Sequence, residues 1–412
     1  MPSALLLYHY FYPDDVVSSL HLTELAEGLV QRGWTVTALP CNRSCRTPEE
    51  YPAHSQHAGI SIERIWRPAF PQSKTWGRLA NTLWMLLAWS LKAFTHKPDL
   101  LVVGTDPILS AAVAIPWKII RPSTRIAHWC FDLYPEAALA DGLLPAGRLL
   151  NLLGSVMRSA YRRVDLLVDI GPCMRHLLSR YASPAQAVTL PPWALIESRG
   201  PSPIDPAQRA AAFGDAQIGL MYSGNFGRAH SFTEVLAIAR LLRDAGVHLS
   251  FAIRGNCVSQ VEDAVTADDR NVSFAGFVPQ DQLEARLSAA DIHVVSLRPE
   301  WTGTVVPSKF FGALAVGRPV LFIGSEGSSV AQIIRQYGVG WVCSPGNETR
   351  VADELRQVAS NPWRLQALRE SCYQVYQAHF SREIIVNRFD SELRALVGES
   401  SETAIPATVG AR

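Results

Sequence analysis

The sequence predicts an α/β protein of two Rossmann-like, doubly wound domains facing a central cleft, and three observations carry that expectation. Short aliphatic runs alternate with amphipathic stretches of helical period; a Pro- and Ser-rich segment interrupts the alternation near the middle; the same alternation then starts again. Strands that are apolar almost throughout suit a parallel sheet covered on both faces. The first cycle holds ALLLY (4–8), TVTAL (35–39), ISIERIW (60–66), DLLVVG (99–104), TRIAHW (124–129) and DLLVDI (165–170). Between the first two, LHLTELAEGLVQRG reads as a helix stopped by Gly33. VTLPPW at 188–193 closes a first domain of residues 1–193, and ALIESRGPSPIDPAQ marks a linker over 194–208.

The second cycle holds IGLMYSG (218–224), VHLSFAIRG (247–255), VSFAGFV (272–278), DIHVVSL (291–297), RPVLFIG (318–324) and VGWVC (339–343). It defines a second domain over 209–378, followed by a helical segment at 379–397 and a flexible Ser/Thr/Ala tail at 398–412. Facing α/β domains gather their ligand loops at the carboxyl ends of their strands, so the cleft between them is the expected site.

Composition narrows the function classes. The 412 residues carry 38 Lys plus Arg against 37 Asp plus Glu, a formal charge of +1, and charged residues are 18% against 48% hydrophobic. That balance excludes a disordered chain, and it lacks the basic excess a nucleic-acid binder uses to neutralise phosphates. The seven cysteines are scattered and odd in number, which fits reduced thiols in a cytoplasmic setting. Cys41 and Cys45 have no second pair nearby to complete a zinc site, so no metal and no cofactor are expected. The start, MPSALLLYHYFYPDD, has no positively charged leader and does not read as a secretory signal.

The longest apolar run, LANTLWMLLAWSLKAF (79–94), is shorter and more polar than a span of about 20 apolar residues. With Lys74, Arg78, Lys92, His96 and Lys97 at its ends it could lie in the interface of a membrane, or pack between a sheet and its neighbour. A second basic helix, AGRLLNLLGSVMRSAYRRVD, adds Arg148, Arg158, Arg162 and Arg163, which makes a peripheral membrane face a candidate partner.

The stretch from Thr302 to Gly324, TGTVVPSKFFGALAVGRPVLFIG, is the richest in chemistry. Pro307 suits a first helical turn, which places Ser308 and Lys309 at the positive end of the dipole. A lysine there is unfavourable for the helix, and an anionic ligand such as a diphosphate explains it. In YSGNFGRAHSF (222–232), Gly224, Asn225 and Gly227 permit close backbone approach before Arg228 and His230, with Ser231 as the expected N-cap of the next helix. Arg228 can stabilise charge on a departing diphosphate. Arg254 and Gly255, in the loop 253–257, could approach a nucleoside. On the opposite side HWCFDLYPEAALADG (128–142) offers Asp132 and Glu136, while His128 sits inside a strand and reads as a core histidine. Asp132 is suited to orient or deprotonate an acceptor hydroxyl. Asp14, Asp15 and Ser18 after the first strand, with Thr105 and Asp106 after DLLVVG, complete the acceptor side.

Taken together, YPD after the first strand, RGWTVTAL, DLYPEAA, YSGNFGRAHSF and VVPSKFFGALAVGRPVLFIG resemble glycosyltransferases of the GT-B fold, retaining family 4, and within it the bacterial subgroup that builds O-antigen, colanic acid and related surface polysaccharides. The resemblance spans nearly the whole chain. The reading it leads to is transfer of a hexosyl or N-acetylhexosaminyl unit from a nucleotide sugar to a hydroxyl of a lipid-linked saccharide; a UDP-class donor is expected without being carried over from the family, and metal independence is expected because no DxD-type motif stands in a suitable loop. Arg228 and Lys309 would meet the donor diphosphate, Asp132 would stand on the acceptor side, and the C-terminal helix would cross back to the first domain. Four departures stand out. Thr304 and Gly312 occupy the positions of two donor-holding glutamates, Phe131 that of a catalytic histidine, Val16, Val17 and Ser18 those of a glycine pair, and Cys257 that of a glycine. The missing glutamates keep one rival open, a non-catalytic nucleotide-sugar-binding partner in a polysaccharide assembly complex; a third reading, a sugar-nucleotide epimerase on the same fold, needs paired acid/base carboxylates that the sequence does not place.

Overall fold

The computed structural model describes residues 1–72, 74–143, 147–181, 186–361 and 363–399, so nearly all of the tail lies outside the described residues. The chain forms two α/β domains. The first is built on an eight-stranded sheet: β1 (Ser3–Leu7), β2 (Thr35–Ala38), β3 (His54–His57), β4 (Ile60–Glu63), β5 (Leu100–Val103), β6 (Arg125–Cys130), β7 (Leu166–Asp169) and β8 (Gln186–Thr189). Their order is β3-β4-β2-β1-β5-β6-β7-β8, parallel except for the β3–β4 pair. The six aliphatic runs of the first cycle all become strands. The edge strands β3 and β8 are additions: HSQH has no apolar residue, and QAVT is half-buried along its length. Edge strands face water, so neither carries the continuous apolar run that marks the inner strands.

The second sheet is wholly parallel, in the order β11-β10-β9-β12-β13-β14. Its strands are β9 (Ile218–Asn225), β10 (Val247–Arg254), β11 (Val272–Phe274), β12 (Ile292–Ser296), β13 (Val320–Ile323) and β14 (Gly340–Cys343). VSFAGFV is a strand only to Phe274, and its remainder turns into a loop. β9 and β10 are the longest, paired in register from Ile218–Val247 to Asn225–Arg254, so the pair projects Asn225 and Arg254 together beyond the sheet. The winding direction reverses at β1–β5 in one sheet and at β9–β12 in the other, and such reversals open a crevice at the carboxyl ends of the strands. The two crevices face each other.

The last helix, Arg382–Val397, packs on the first domain. Trp34 Nε1 donates to Asp390 at 2.6 Å, Arg382 pairs with Glu27 at 2.8 Å, and the Phe389 ring meets Trp129 edge-on at 4.6 Å. A Cβ on Gly28 would fall 2.5 Å from Val386 Cγ1, so this glycine permits the close helix approach.

The helix Thr75–Lys92 is turned inside out relative to its composition. It buries Gly77, Asn81, Thr82, Met85 and Trp89, and it leaves Trp76, Leu79, Leu83, Trp84, Leu87 and Leu91 in solvent. Asn81 is accommodated because its amide donates to the Phe70 carbonyl at 3.0 Å, and Trp89 because its indole donates to Leu39. Phe94, Trp66 and Phe70 extend the exposed ridge, with Trp66 edge-on to Trp84 at 5.3 Å. Of the two placements the sequence leaves open, packing accounts for one face and leaves the other uncovered. No helix among the described residues is long and apolar enough to cross a membrane.

Candidate functional site

A cleft of about 960 Å³ separates the domains, and both contribute to its walls. From the second domain come Gly224, Asn225, Gly227, Arg228, His230, Arg254, Ser308, Lys309 and Gly312; from the first come Asp15 and Asp132. The sequence also nominates residues that the fold turns elsewhere. Thr304 is buried, its hydroxyl donating to Trp301 and its carbonyl accepting from Leu133 N at 2.8 Å, so it joins the two domains. Gly255, at φ +134, is held against the Phe226 carbonyl, where a Cβ would come within 2.5 Å. It serves the packing of its loop.

Lys309 begins the seven-residue helix Lys309–Ala315, anchored by the buried Phe310, Phe311, Ala313 and Leu314. Its amine is not a free surface group. Nζ donates to the Asn225 carbonyl at 2.6 Å, lies 3.0 Å from His230 Nε2 and sits 5.4 Å from the centre of the Tyr222 ring. Gly224, at φ +110, makes room, since a Cβ there would stand 3.0 Å from Lys309 Cε. Burial lowers the Lys309 pKa to about 7. A strong anion in the cleft would restore the ammonium, as the pattern of the sequence anticipates.

Ser231 does not cap its helix. The helix runs Thr233–Leu241 after Phe232, and Ser231 instead donates its hydroxyl to Glu234 and its N–H to Ser296 Oγ at 3.1 Å. With its N–H committed to Ser296 on β12, Ser231 lies one residue before the N-cap position, which Phe232 takes. Arg228 is 55% exposed and reaches across the cleft to Asp141 at 3.4 Å, an ion pair between the domains. Arg254 lies over the Phe277 ring at 3.9 Å. Phe277 belongs to the loop Gly276–Gln280, which lines the cleft after β11 and which the sequence reading absorbed into a strand. A glycine and a proline bracketing that loop were the available signal.

On the first domain, Asp132 stands in the cleft wall with no side-chain hydrogen bond among the described residues. Burial, and then the charge of Asp106, raises its pKa to about 6. The other acceptor-side groups are engaged elsewhere. Asp14 accepts from Ser44, Cys45 N and Tyr51; Thr105 accepts from Phe131 N at 2.8 Å; Asp106 faces His9 at 3.5 Å; Glu136 accepts from Tyr181. Ser18 is half-buried and outside the cleft wall. His128 is a core histidine, bonded to Val103 O at 2.9 Å and lowered to about 4 by burial. Arg78, Leu143 and Asp141 line the cleft without having been singled out as site residues.

A cleft with more cationic than anionic side chains, set between two doubly wound domains at the carboxyl ends of their strands, is where this fold binds its ligands. Residues 18–193 match the family described as glycosyl transferase 4-like domain, and residues 218–361 match glycosyl transferases group 1. The chain belongs to the glycosyltransferases of the GT-B fold, with a family 4-like first domain. WbjE of Pseudomonas aeruginosa, named as a glycosyltransferase, is 26% identical over 331 residues, 76% of this chain and 79% of its own. WcaI of Escherichia coli K12, named for colanic acid biosynthesis, is 22% identical over 90% of this chain and 94% of its own. HepE of Anabaena, solved with UDP and glucose, shares the fold with a TM-score of 0.66 at 13% identity, covering 96% of this chain and 100% of that one.

Proposed function

We propose that the protein is a retaining, metal-independent glycosyltransferase of surface polysaccharide assembly, moving a hexosyl or N-acetylhexosaminyl unit from a UDP-class nucleotide sugar to a hydroxyl of a lipid-linked saccharide. The observation that carries this reading is the Lys309 amine, on a half-buried side chain in the cleft wall between Asn225 and His230, where a diphosphate would supply its counter-charge. The relatives support the same direction, since HepE is solved with UDP and WcaI is named for a surface polysaccharide.

In this mechanism the bond from the anomeric carbon to the diphosphate oxygen breaks with its electron pair leaving on the diphosphate. The acceptor oxygen bonds to the same face of that carbon, and its proton passes to the departing diphosphate. Lys309 and Arg228 stabilise the negative charge that develops there, with Arg228 exchanging Asp141 for the phosphate. Before the step Asp132 orients the acceptor hydroxyl by accepting a hydrogen bond from it, and that proton turns to the diphosphate as the glycosidic bond forms. Incubation with a panel of nucleotide sugars and a polyprenyl-linked saccharide tests the reading. A glycosylated product with retained anomeric configuration is expected. An isomerised donor would make the protein an epimerase, and donor binding without product would make it a non-catalytic partner.

We further propose that the exposed ridge of the Thr75–Lys92 helix rests on the membrane that holds the acceptor. The ridge is flanked by exposed Lys74, Arg78 and Lys97, and Arg78 also lines the cleft, so the apolar face begins at the cleft mouth. A leucine taken from water contributes about 1.5–3 kcal/mol, and basic flanks add attraction to anionic lipid. Replacing Leu83, Leu87 and Leu91 together with Ser is expected to weaken co-sedimentation with anionic vesicles at least about tenfold. Transfer to a water-soluble acceptor should stay unchanged. Unaltered sedimentation of the triple variant would remove the ridge from membrane contact.

A further inference from the structure

His230 lies in the cleft wall, yet its ring offers no proton to a ligand. Nδ1 is 2.7 Å from the Ser296 carbonyl, an oxygen that can only accept, so Nδ1 carries the ring proton. Nε2, 3.0 Å from Lys309 Nζ, is therefore a bare lone pair on a neutral ring, and the amine donates to it. The ring is wedged between Phe226 and Tyr222, with centroids 5.6 and 6.1 Å away, and Tyr222 is itself tied to Ser296 Oγ at 3.0 Å. The charged and titratable groups around His230 are thus the Lys309 amine, the Tyr222 ring and Arg298, whose Nε donates to the His230 carbonyl at 3.1 Å. Burial, with Lys309 and Arg298 nearby, keeps the imidazole neutral down to about pH 3.

Two of the three ammonium protons of Lys309 are consequently fixed, one on Asn225 O and one on His230 Nε2. The third has no protein acceptor among the described residues, and Lys309 lines the cleft. We propose that His230 is a positioning residue, a neutral acceptor that aims the one remaining Lys309 proton into the cleft without cancelling the lysine charge. A carboxylate at the same place would hold the amine equally well, but it would neutralise the charge that the donor diphosphate must meet. The inference rests on the reading of Lys309 as the diphosphate contact and adds how that contact is aimed.

The first test reads the tautomer in the intact protein without substrate. Nitrogen-15 NMR of labelled protein, with His230 assigned by comparison with His230→Gln, is expected to show a protonated Nδ1 and a bare Nε2 from pH 5 to 8. A ring protonated on Nε2, or charged in that range, overturns the proposal. The second test is a cycle of His230→Phe, His230→Gln and Lys309→Ala, assayed for transfer. His230→Phe should lower kcat/KM about 10- to 100-fold by misplacing the amine and move the alkaline limb of its pH profile downward. His230→Gln, whose amide oxygen can accept, should recover most of the loss. In a Lys309→Ala background His230→Phe should cost nothing further. Equal losses in both backgrounds, or a Gln variant no better than Phe, would show that His230 acts independently of the lysine. Absence of transfer with every donor would sink the proposed function, while the tautomer measurement would still decide this inference.

Discussion

Lys309→Ala should yield a folded protein whose kcat for glycosyl transfer is lower by about 10²–10³-fold, the loss typical of removing one preorganised donor to developing negative charge. The fold should survive because the anchors of the helix are Phe310, Phe311, Ala313 and Leu314, and alanine is at least as good a helix former as lysine. Stability should even rise near neutral pH. The amine has a folded-state pKa of about 7 against an ordinary 10.5, so between those values the folded chain binds fewer protons than the unfolded one. By linkage, the contribution of this lysine to stability increases with pH through that window and is least favourable below it. A variant that loses turnover while its melting temperature at pH 7 holds or climbs is the signature of a group kept for chemistry at the expense of stability. The wild-type kcat/KM profile should also be narrow. Its acid limb near pH 6 belongs to Asp132 and its alkaline limb near pH 7 to Lys309, and Asp132→Asn should abolish the first limb only. Wild-type turnover by the alanine variant would exclude Lys309 from the mechanism.

Which groups the sequence could place, and which it could not, follows from the range of the interactions involved. Inner strands were legible because burial on both faces demands an unbroken apolar run, whereas β3 and β8 lie at sheet edges and carry no such demand. Lys309 and His230 were legible as cleft residues because strand-exit loops converge in any doubly wound domain. Their mutual contact was not, since 78 residues separate them in the chain and neither periodicity nor turn chemistry reports on such a distance. The same applies to Arg228 and Asp141, which meet only because the two domains face each other. Asp14, Asp106 and Glu136 show the converse. Each sits on or just past a strand exit, but partners elsewhere in the chain, Ser44 and Tyr51, His9, and Tyr181, turn their carboxylates away from the cleft. Asp132 has no side-chain partner among the described residues, and it remains in the wall.

The largest effect on stability is expected at Arg318, which the sequence presents only as part of a Gly-Arg-Pro passage from helix to strand. It is 1% exposed and is held by main-chain carbonyls: Nε donates to Ala290 at 2.9 Å, one terminal nitrogen to Val316 at 2.6 Å, and the other to Ser202 and Ser288 at 2.6 and 2.7 Å. These carbonyls belong to the linker, to the end of the Lys309 helix and to the turn before β12, so one side chain fastens three segments that meet behind the cleft. Burial and the neighbouring Arg369 push its pKa down to about 10, but it stays a cation at neutral pH. Arg318→Ala takes a donor from each of four buried carbonyls, of which Val316 O keeps only the Ser202 N–H at 3.2 Å, and leaves a void where the guanidinium stood; it should destabilise the second domain by about 3–5 kcal/mol, seen as a lower urea midpoint for that domain. Arg318→Lys should recover only part of the loss. A compact ammonium keeps the charge but has three donors on a single nitrogen, which cannot reach acceptors spread around a planar fork. A lysine variant as stable as wild type would mean that charge alone holds the junction; an alanine variant within about 0.5 kcal/mol of wild type would mean that water replaces the guanidinium without loss. The spread of four carbonyls over all three guanidinium nitrogens argues against both. The same junction carries the end of the Lys309 helix, so the alanine variant should also lose transfer activity at temperatures where it remains folded.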